Sequence, residues 1–256
     1  MSIFNFRNRI LPAVIFAITG FILNQTKSDA QSVSYLVNGV SANAVSASTS
    51  FSASGDTLTM MLTNTTAGGT LNRSDLLCSV YFSFANGTNP TLNYLTATGT
   101  VTPTSGADLT NQDLRAVTNG QNTWAYQSFS SLTFSGVSYE HGLSTVGNSS
   151  FTGGAFPGSL VGNDDYAIIA PGTNRAISGL NNIPLVRNSV TYTFSGFTGR
   201  NLSDIDHVLF GFTSSGGVML EGTKFVVPEP STYAMFGGMA FAGFLGLRRR
   251  IRSRRK

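Results

Sequence analysis

A few carboxylates, two histidines and one cysteine are the groups with which this 256-residue chain could do chemistry. Asp204 and Asp206 stand two apart in "LSDIDH", so an extended backbone puts both on one face. Glycoside hydrolysis needs two carboxyls about 5 to 9.5 Å apart across the scissile bond. The segment reads instead as a polar loop entering a strand, and no sequence feature marks a cleft around it. Asp164 and Asp165 point to opposite faces of any strand. With Asn163 they offer oxygen ligands to Ca²⁺, which takes about six to eight. One such triplet is not a cage, and "GNDD" before the apolar "YAIIA" reads as an Asx-type turn. His207 beside Asp206 has the types for a transition metal and reads as a strand-edge residue. Neither His141 nor His207 is linked in sequence to Cys78, so no thiolate–imidazole pair is legible. As the single cysteine, Cys78 can close no internal disulfide, and in "DLLCSVYFSF" it reads as a small buried hydrophobe. The Walker loop, the G-x-S-x-G elbow, H-E-x-x-H and paired C-x-x-C are all missing from the sequence. A non-enzymatic body without a cofactor is the expectation.

The elements that must hold these residues read as β-structure. Residues 56–66, 78–87, 131–139, 165–170, 189–197 and 207–214 are rich in Thr, Val, Tyr and Phe, which suit a pleated, half-buried surface. Leu132 and Phe134 alternate with Thr133 and Ser135, and Tyr192 and Phe194 with Thr191 and Thr193. Such alternation predicts antiparallel sheets with one wet face. Gly, Asn and Pro clusters such as "TAGGTLN" and "FTGGAFPG" punctuate the runs. The spacing predicts an all-β, antiparallel β-sandwich or jelly-roll-like single domain over residues 31–225. Residues 108–117 are the one internal stretch that reads as a short helix.

Charge separates this body from its ends. The chain carries +4 overall, yet seven of its sixteen basic residues lie within the last nine positions and three within the first thirty. Between Gln31 and Val227 six basic residues face ten acidic ones, a net charge of −4. Nucleic acid requires Lys and Arg clustered on a folded face, so that class of partner is excluded.

The two ends read as addresses. Arg7 and Arg9 precede an apolar run over 10–23, followed by a small-x-small site ending at Ala30. This is the pattern of a secretory signal peptide over 1–30, handled by the Sec export machinery and cut after Ala30 by signal peptidase. Its fourteen apolar residues make about 21 Å of helix against a hydrocarbon core of about 30 Å. At the other end Pro228-Glu229-Pro230 precede an apolar stretch over 233–247, a marginal transmembrane helix of about 22 Å. Arg248, Arg249, Arg250 and Arg252 follow as a basic stop that stays cytoplasmic, so the body faces outward.

These three parts, in this order over residues 226–256, resemble the PEP-CTERM sorting signal of exosortase-dependent proteins of Gram-negative bacteria. The resemblance implies that an exosortase, a membrane-embedded enzyme like a cysteine transpeptidase, recognises Pro228, Glu229 and Pro230. The protein would be anchored in the membrane only transiently and then reach the cell surface or the exopolysaccharide matrix. A body for display or adhesion is the expectation that follows. The alternative is a carbohydrate-binding module, Ca²⁺-supported through Asn163, Asp164 and Asp165. Its Ser/Thr-rich surface would hydrogen-bond exopolysaccharide while Trp124, Tyr126 or Tyr139 stack on sugar rings. As a large aromatic, Trp124 reads first as core, ahead of any sugar-stacking role.

Overall fold

The computed structural model describes residues 32–38, 44–85, 89–115, 117–118, 121–145, 159–160, 164–176, 179–212 and 218–227. The expected signal segment over 1–30 and the expected tail helix over 233–247 lie outside them, and no helix among the described residues is long and apolar enough to cross a membrane.

The described residues are all-β. In chain order the strands are β1 Ser32–Asn38, β2 Ser46–Ser54, β3 Thr57–Asn64, β4 Leu77–Phe84, β5 Asn93–Thr102, β6 Leu109–Asp113, β7 Val117–Thr118 and β8 Gln121–Asn122. Then follow β9 Ala125–Phe134, β10 Val137–Ser144, β11 Ser159–Leu160, β12 Ile168–Ile169, β13 Leu185–Ser195, β14 Ile205–Phe212, β15 Val218–Glu221 and β16 Thr223–Val227. Single 3₁₀ turns at Arg73–Asp75 and Leu202–Asp204 precede β4 and β14.

Thirteen strands form one hydrogen-bonded sheet along the path β15-β14-β4-β12-β13-β3-β2-β1-β16, with β10 and β9 branching from β4 and β5 and β6 from β13. The short β7, β8 and β11 pair separately. The large sheet folds over its own apolar side. Phe51 of β2 lies 5.4 Å, ring to ring, from Phe82 of β4, although three strands separate them along the path. Phe194 of β13 stands 6.5 Å from the same ring. These rings join Val33, Tyr35, Leu58, Met60, Tyr192 and Phe210 in one buried cluster. Burying each large apolar side chain contributes about 1.5–3 kcal/mol.

The period-two pattern holds in β1, β2 and β3, whose buried Val33, Tyr35, Phe51, Leu58, Met60 and Leu62 alternate with more exposed neighbours. It fails in β4, where all eight residues are buried. A second cluster containing Tyr81, Phe129, Leu132, Tyr139 and Leu209 covers the side of β4 turned away from Phe82. Antiparallel pairing is nearly general, but β12 runs parallel to β13 and β11 parallel to β8.

Three local expectations need correction. Residues 131–139 are a hairpin, not one strand: Ser135 and Gly136 both have positive φ (48° and 84°), and the turn sets Phe134 opposite Val137. That is the backbone of a two-residue hairpin turn. Residues 108–117 hold a strand where a helix was expected. β6 pairs with β5, and the Asp108 carboxylate meets Arg187 at 2.6 Å. A helix this short is marginal in water, so an available strand edge prevails. The expected strand over 165–170 shrinks to the two residues of β12, because Asp164 and Tyr166 adopt left-handed φ in a turn just before it. The last strand, for its part, runs past residue 225 to Val227, the position before Pro228.

Asn64 is the polar node beneath this architecture. Fully buried, it donates from Nδ2 to the carbonyls of Asp75 (3.0 Å) and Ile168 (2.9 Å) and accepts from the Thr66 amide (3.1 Å). It thereby ties the end of β3 to the turn before β4 and to β12. Asn64→Ala would leave these three backbone groups without that partner in a buried site. The expected loss is about 2–4 kcal/mol, read as a lower urea midpoint at unchanged slope. A change below about 0.5 kcal/mol would show that Asn64 is not the tie.

Candidate functional site

The sorting residues Pro228, Glu229 and Pro230, the basic Arg248, Arg249, Arg250 and Arg252, and Ala30 lie outside the described residues. What the structure describes is the root from which both ends depart. β16 pairs antiparallel with β1, and the register sets Ser32 opposite Val227. The first and last residues of the described body are thus cross-strand neighbours.

That root is held by three contacts. β15 belongs to β14, β16 belongs to β1, and only Gly222 separates them. The Gly222 amide donates to the Val208 carbonyl at 2.8 Å. A Cβ at Gly222 would stand 2.8 Å from the Phe210 ring and 3.2 Å from the Tyr35 side chain, closer than ordinary packing allows. Across the same gap the Tyr35 hydroxyl donates to the Ile205 carbonyl. Burial, with a smaller contribution from Asp206, pushes the Tyr35 phenol well above its ordinary pKa, so it stays a donor. Lys224 Nζ donates to the Ser203 carbonyl at 2.7 Å and to that of Ile205, which fixes β16 to the turn before β14.

The other candidates are placed one by one. Asn163 lies outside the described residues; Asp164 is buried, and its Oδ2 stands 3.6 Å from Arg73 Nη1. The Ala167 amide donates to the Asp164 carbonyl (3.1 Å) and closes a turn into β12. Burial raises the pKa of Asp165, against the pull of Arg73. Among the described residues no three His, Cys, Asp or Glu side chains are grouped to hold a metal ion. Asp204 accepts the Asn201 amide at 3.2 Å within its own 3₁₀ turn, while Asp206 lies on β14 beside His207. His207 is half-exposed, with Nδ1 2.6 Å from Glu221 Oε1 and Nε2 3.4 Å from Asp206 Oδ2.

The aromatic platform is not on the surface. Trp124 is fully buried, donates Nε1–H to the Tyr166 carbonyl at 3.0 Å and packs edge-on against Tyr192. Tyr139 is buried as well, and Tyr126 is partly buried beside Tyr94 and Phe194. Sugar stacking on Trp124 and Tyr139 is therefore ruled out by their burial. Cys78 is buried among Leu76, Ala167, Ile169 and Leu180, as its strand context suggested.

His141, weighed in the sequence only as a partner for Cys78, is a titratable group whose buried setting the sequence did not reveal. It sits on β10 directly opposite Phe82, four residues along β4 from Cys78 and so about 13 Å away from it. Its ring stacks between Phe82 (5.0 Å) and Tyr126 (6.0 Å), and Nδ1 is 2.7 Å from the Tyr126 hydroxyl. Nε2 is buried without a hydrogen-bond partner. Burial lowers its pKa to about 4. No sequence signal in "VSYEHGLS" announces a buried imidazole, because its environment comes from β4 and β9.

The family model that matches this chain is the PEP-CTERM protein-sorting motif, over residues 226–250. The match begins inside β16 and spans Pro228, Glu229 and Pro230. No curated protein and no solved structure matches the chain.

The buried His141 sets an acid limit on stability. Its folded pKa lies below the unfolded value of 6.5, so the unfolded chain binds the extra proton. Stability is complete above about pH 6.5 and falls as the pH drops through 4, by about 3 kcal/mol in all. His141→Phe keeps a ring between Phe82 and Tyr126 and removes the titration. Urea midpoints measured between pH 7 and pH 4 should fall less steeply in this variant than in the wild type. Equal slopes would show that other groups set the acid limit.

Proposed function

We propose that this chain, which its PEP-CTERM motif identifies as an exosortase substrate, is a display or adhesion protein released to the surface or matrix. Proteins sorted by this motif are in general exported, non-enzymatic and exosortase-processed. In this reading the Sec machinery exports the chain and signal peptidase cuts after Ala30. The membrane then holds it briefly through 233–247, with Arg248, Arg249, Arg250 and Arg252 inside. The exosortase reads Pro228, Glu229 and Pro230. The domains are those of the sequence: a signal at 1–30, a sandwich-like body from 31 and the sorting tail beyond it.

The observation that carries this reading is how close the last described strand comes to the motif. β16 stays hydrogen-bonded through Val227, and the next residue is the first proline of the motif. Proline has no amide proton and fixes φ, so it ends the strand. Every strand pairing of the described sheet lies at or before Val227, ahead of the motif. A body of this kind, with its apolar side folded inward and a net charge of −4 over residues 31–227, suits long exposure outside the cell.

Among alternatives, the carbohydrate-binding module loses Trp124 and Tyr139 as its platform, and Arg73 occupies one oxygen of Asp164 in place of Ca²⁺. The hydrolase loses Asp204 to its own turn. Glu229→Ala, expressed in a host with an exosortase, should leave the chain in the inner membrane with its tail intact, while wild type moves to the surface or matrix. Identical processing and release of the two would refute this reading of the tail.

A further inference from the structure

The outward side of β16, β1, β2, β3, β13 and β5 is a lattice of hydroxyl groups. The registers align one row as Phe225, Ser34, Ser50, Met61, Thr191 and Thr98. A second row reads Ser32, Ser52, Thr59, Thr193 and Thr96. The backbone positions that carry these hydroxyls stand about 4.8 Å apart across strands and about 6.7 Å apart along them. These side chains are half-buried or exposed, and Thr96 and Thr193 meet hydroxyl to hydroxyl at 2.6 Å. Neither row contains a charged residue. Charge stands at the margins of these rows, in ion pairs: Asp113 with Arg115 beyond Thr98, and Arg187 with Asp108 beyond Ser189. Lys224 of β16 is turned to the carbonyls of Ser203 and Ile205.

We propose that this six-strand face binds a neutral polysaccharide, laid flat across the hydroxyl rows. The proposal rests on the matrix-facing reading above and supplies the ligand class which that reading lacks. Charge selects the occupant. An anionic polymer needs Lys or Arg, and the rows offer none. A protein partner draws on a cluster of buried aromatic or Arg anchors, and these rows hold only Phe225 and Met61 as large apolar groups. Serine and threonine each donate one hydrogen bond and accept two, the same set that sugar hydroxyls present. Short side chains keep the face flat, so it cannot enclose a small molecule; a repeating lattice suits a repeating polymer held by many weak contacts. The exposed Phe225 and Met61 give C–H faces of the sugars an apolar footing at an edge and in the middle of the row.

The test is depletion of the full chain, purified in detergent, onto insoluble cellulose as the neutral polymer and alginate gel as the anionic one. Ser50→Lys with Thr191→Lys flanks Met61 with charge, and Ser138→Lys, exposed on β10, is the surface control. Wild type and Ser138→Lys should be retained on cellulose, and the double variant should bind at least tenfold more weakly with an unchanged melting midpoint. If the double variant fails to fold, Thr191→Lys alone carries the comparison. Absence of retention on cellulose, equal retention of the lysine variants or preference for alginate would overturn the proposal. So would self-association that the lysines abolish without any polymer binding, since the face would then belong to a second copy. None of these outcomes involves the exosortase, so failure here leaves the reading of the tail standing.

Discussion

The fold depends on how its two free edges are joined. β14 and β1 stand at opposite ends of the strand path, and the ten residues Val218–Val227 pair with first one and then the other. The crossing takes place at a single residue. Gly222 lies against the Phe210 ring and the Tyr35 side chain, and its amide takes the Val208 carbonyl. Any side chain there would push the strand away from the core that it closes. Tyr35 and Lys224 tie the same crossing from either side through the Ile205 carbonyl. One residue without a Cβ thus lets a single segment serve both ends of the path.

That closure also organises what the protein presents. With both edge strands pinned by the same segment, the apolar rings of β2, β4 and β13 face one another inside, and the hydroxyl rows of β1, β2, β3 and β13 are left outside. It brings residue 32 beside residue 227, so the two addressed ends leave from one corner.

Much of this was legible in the residues. The Thr, Val, Tyr and Phe content of β13 and β14, alternating in β13, announced strands, and the Pro-Glu-Pro, apolar and Arg sequence announced the tail. What stayed hidden has physical causes. β2 reads "SASTSFSAS", where Ser and Ala give little β-propensity and pairing with β1 and β3 makes the strand, whereas β1, "SVSYLVN", went unread although Val33, Tyr35 and Val37 alternate with period two. The hairpin at Ser135-Gly136 was masked because Ser is an uncommon residue at positive φ. β6 exists because β5 offers an edge, and the double burial of β4 arises from strands distant in sequence. Trp124 was rightly suspected as core, whereas His141 could be found only through its neighbours.

The account rests on the tail being removed from a body that does not need it. Mapping both termini of the protein recovered from the matrix or surface fraction, by intact mass and terminal peptides, tests that most directly. The predicted product begins at Gln31 and ends before residue 233, with the apolar stretch and the Arg248–Lys256 block gone. Recovery of surface protein that still carries Arg248, Arg249 and Arg250 would contradict it.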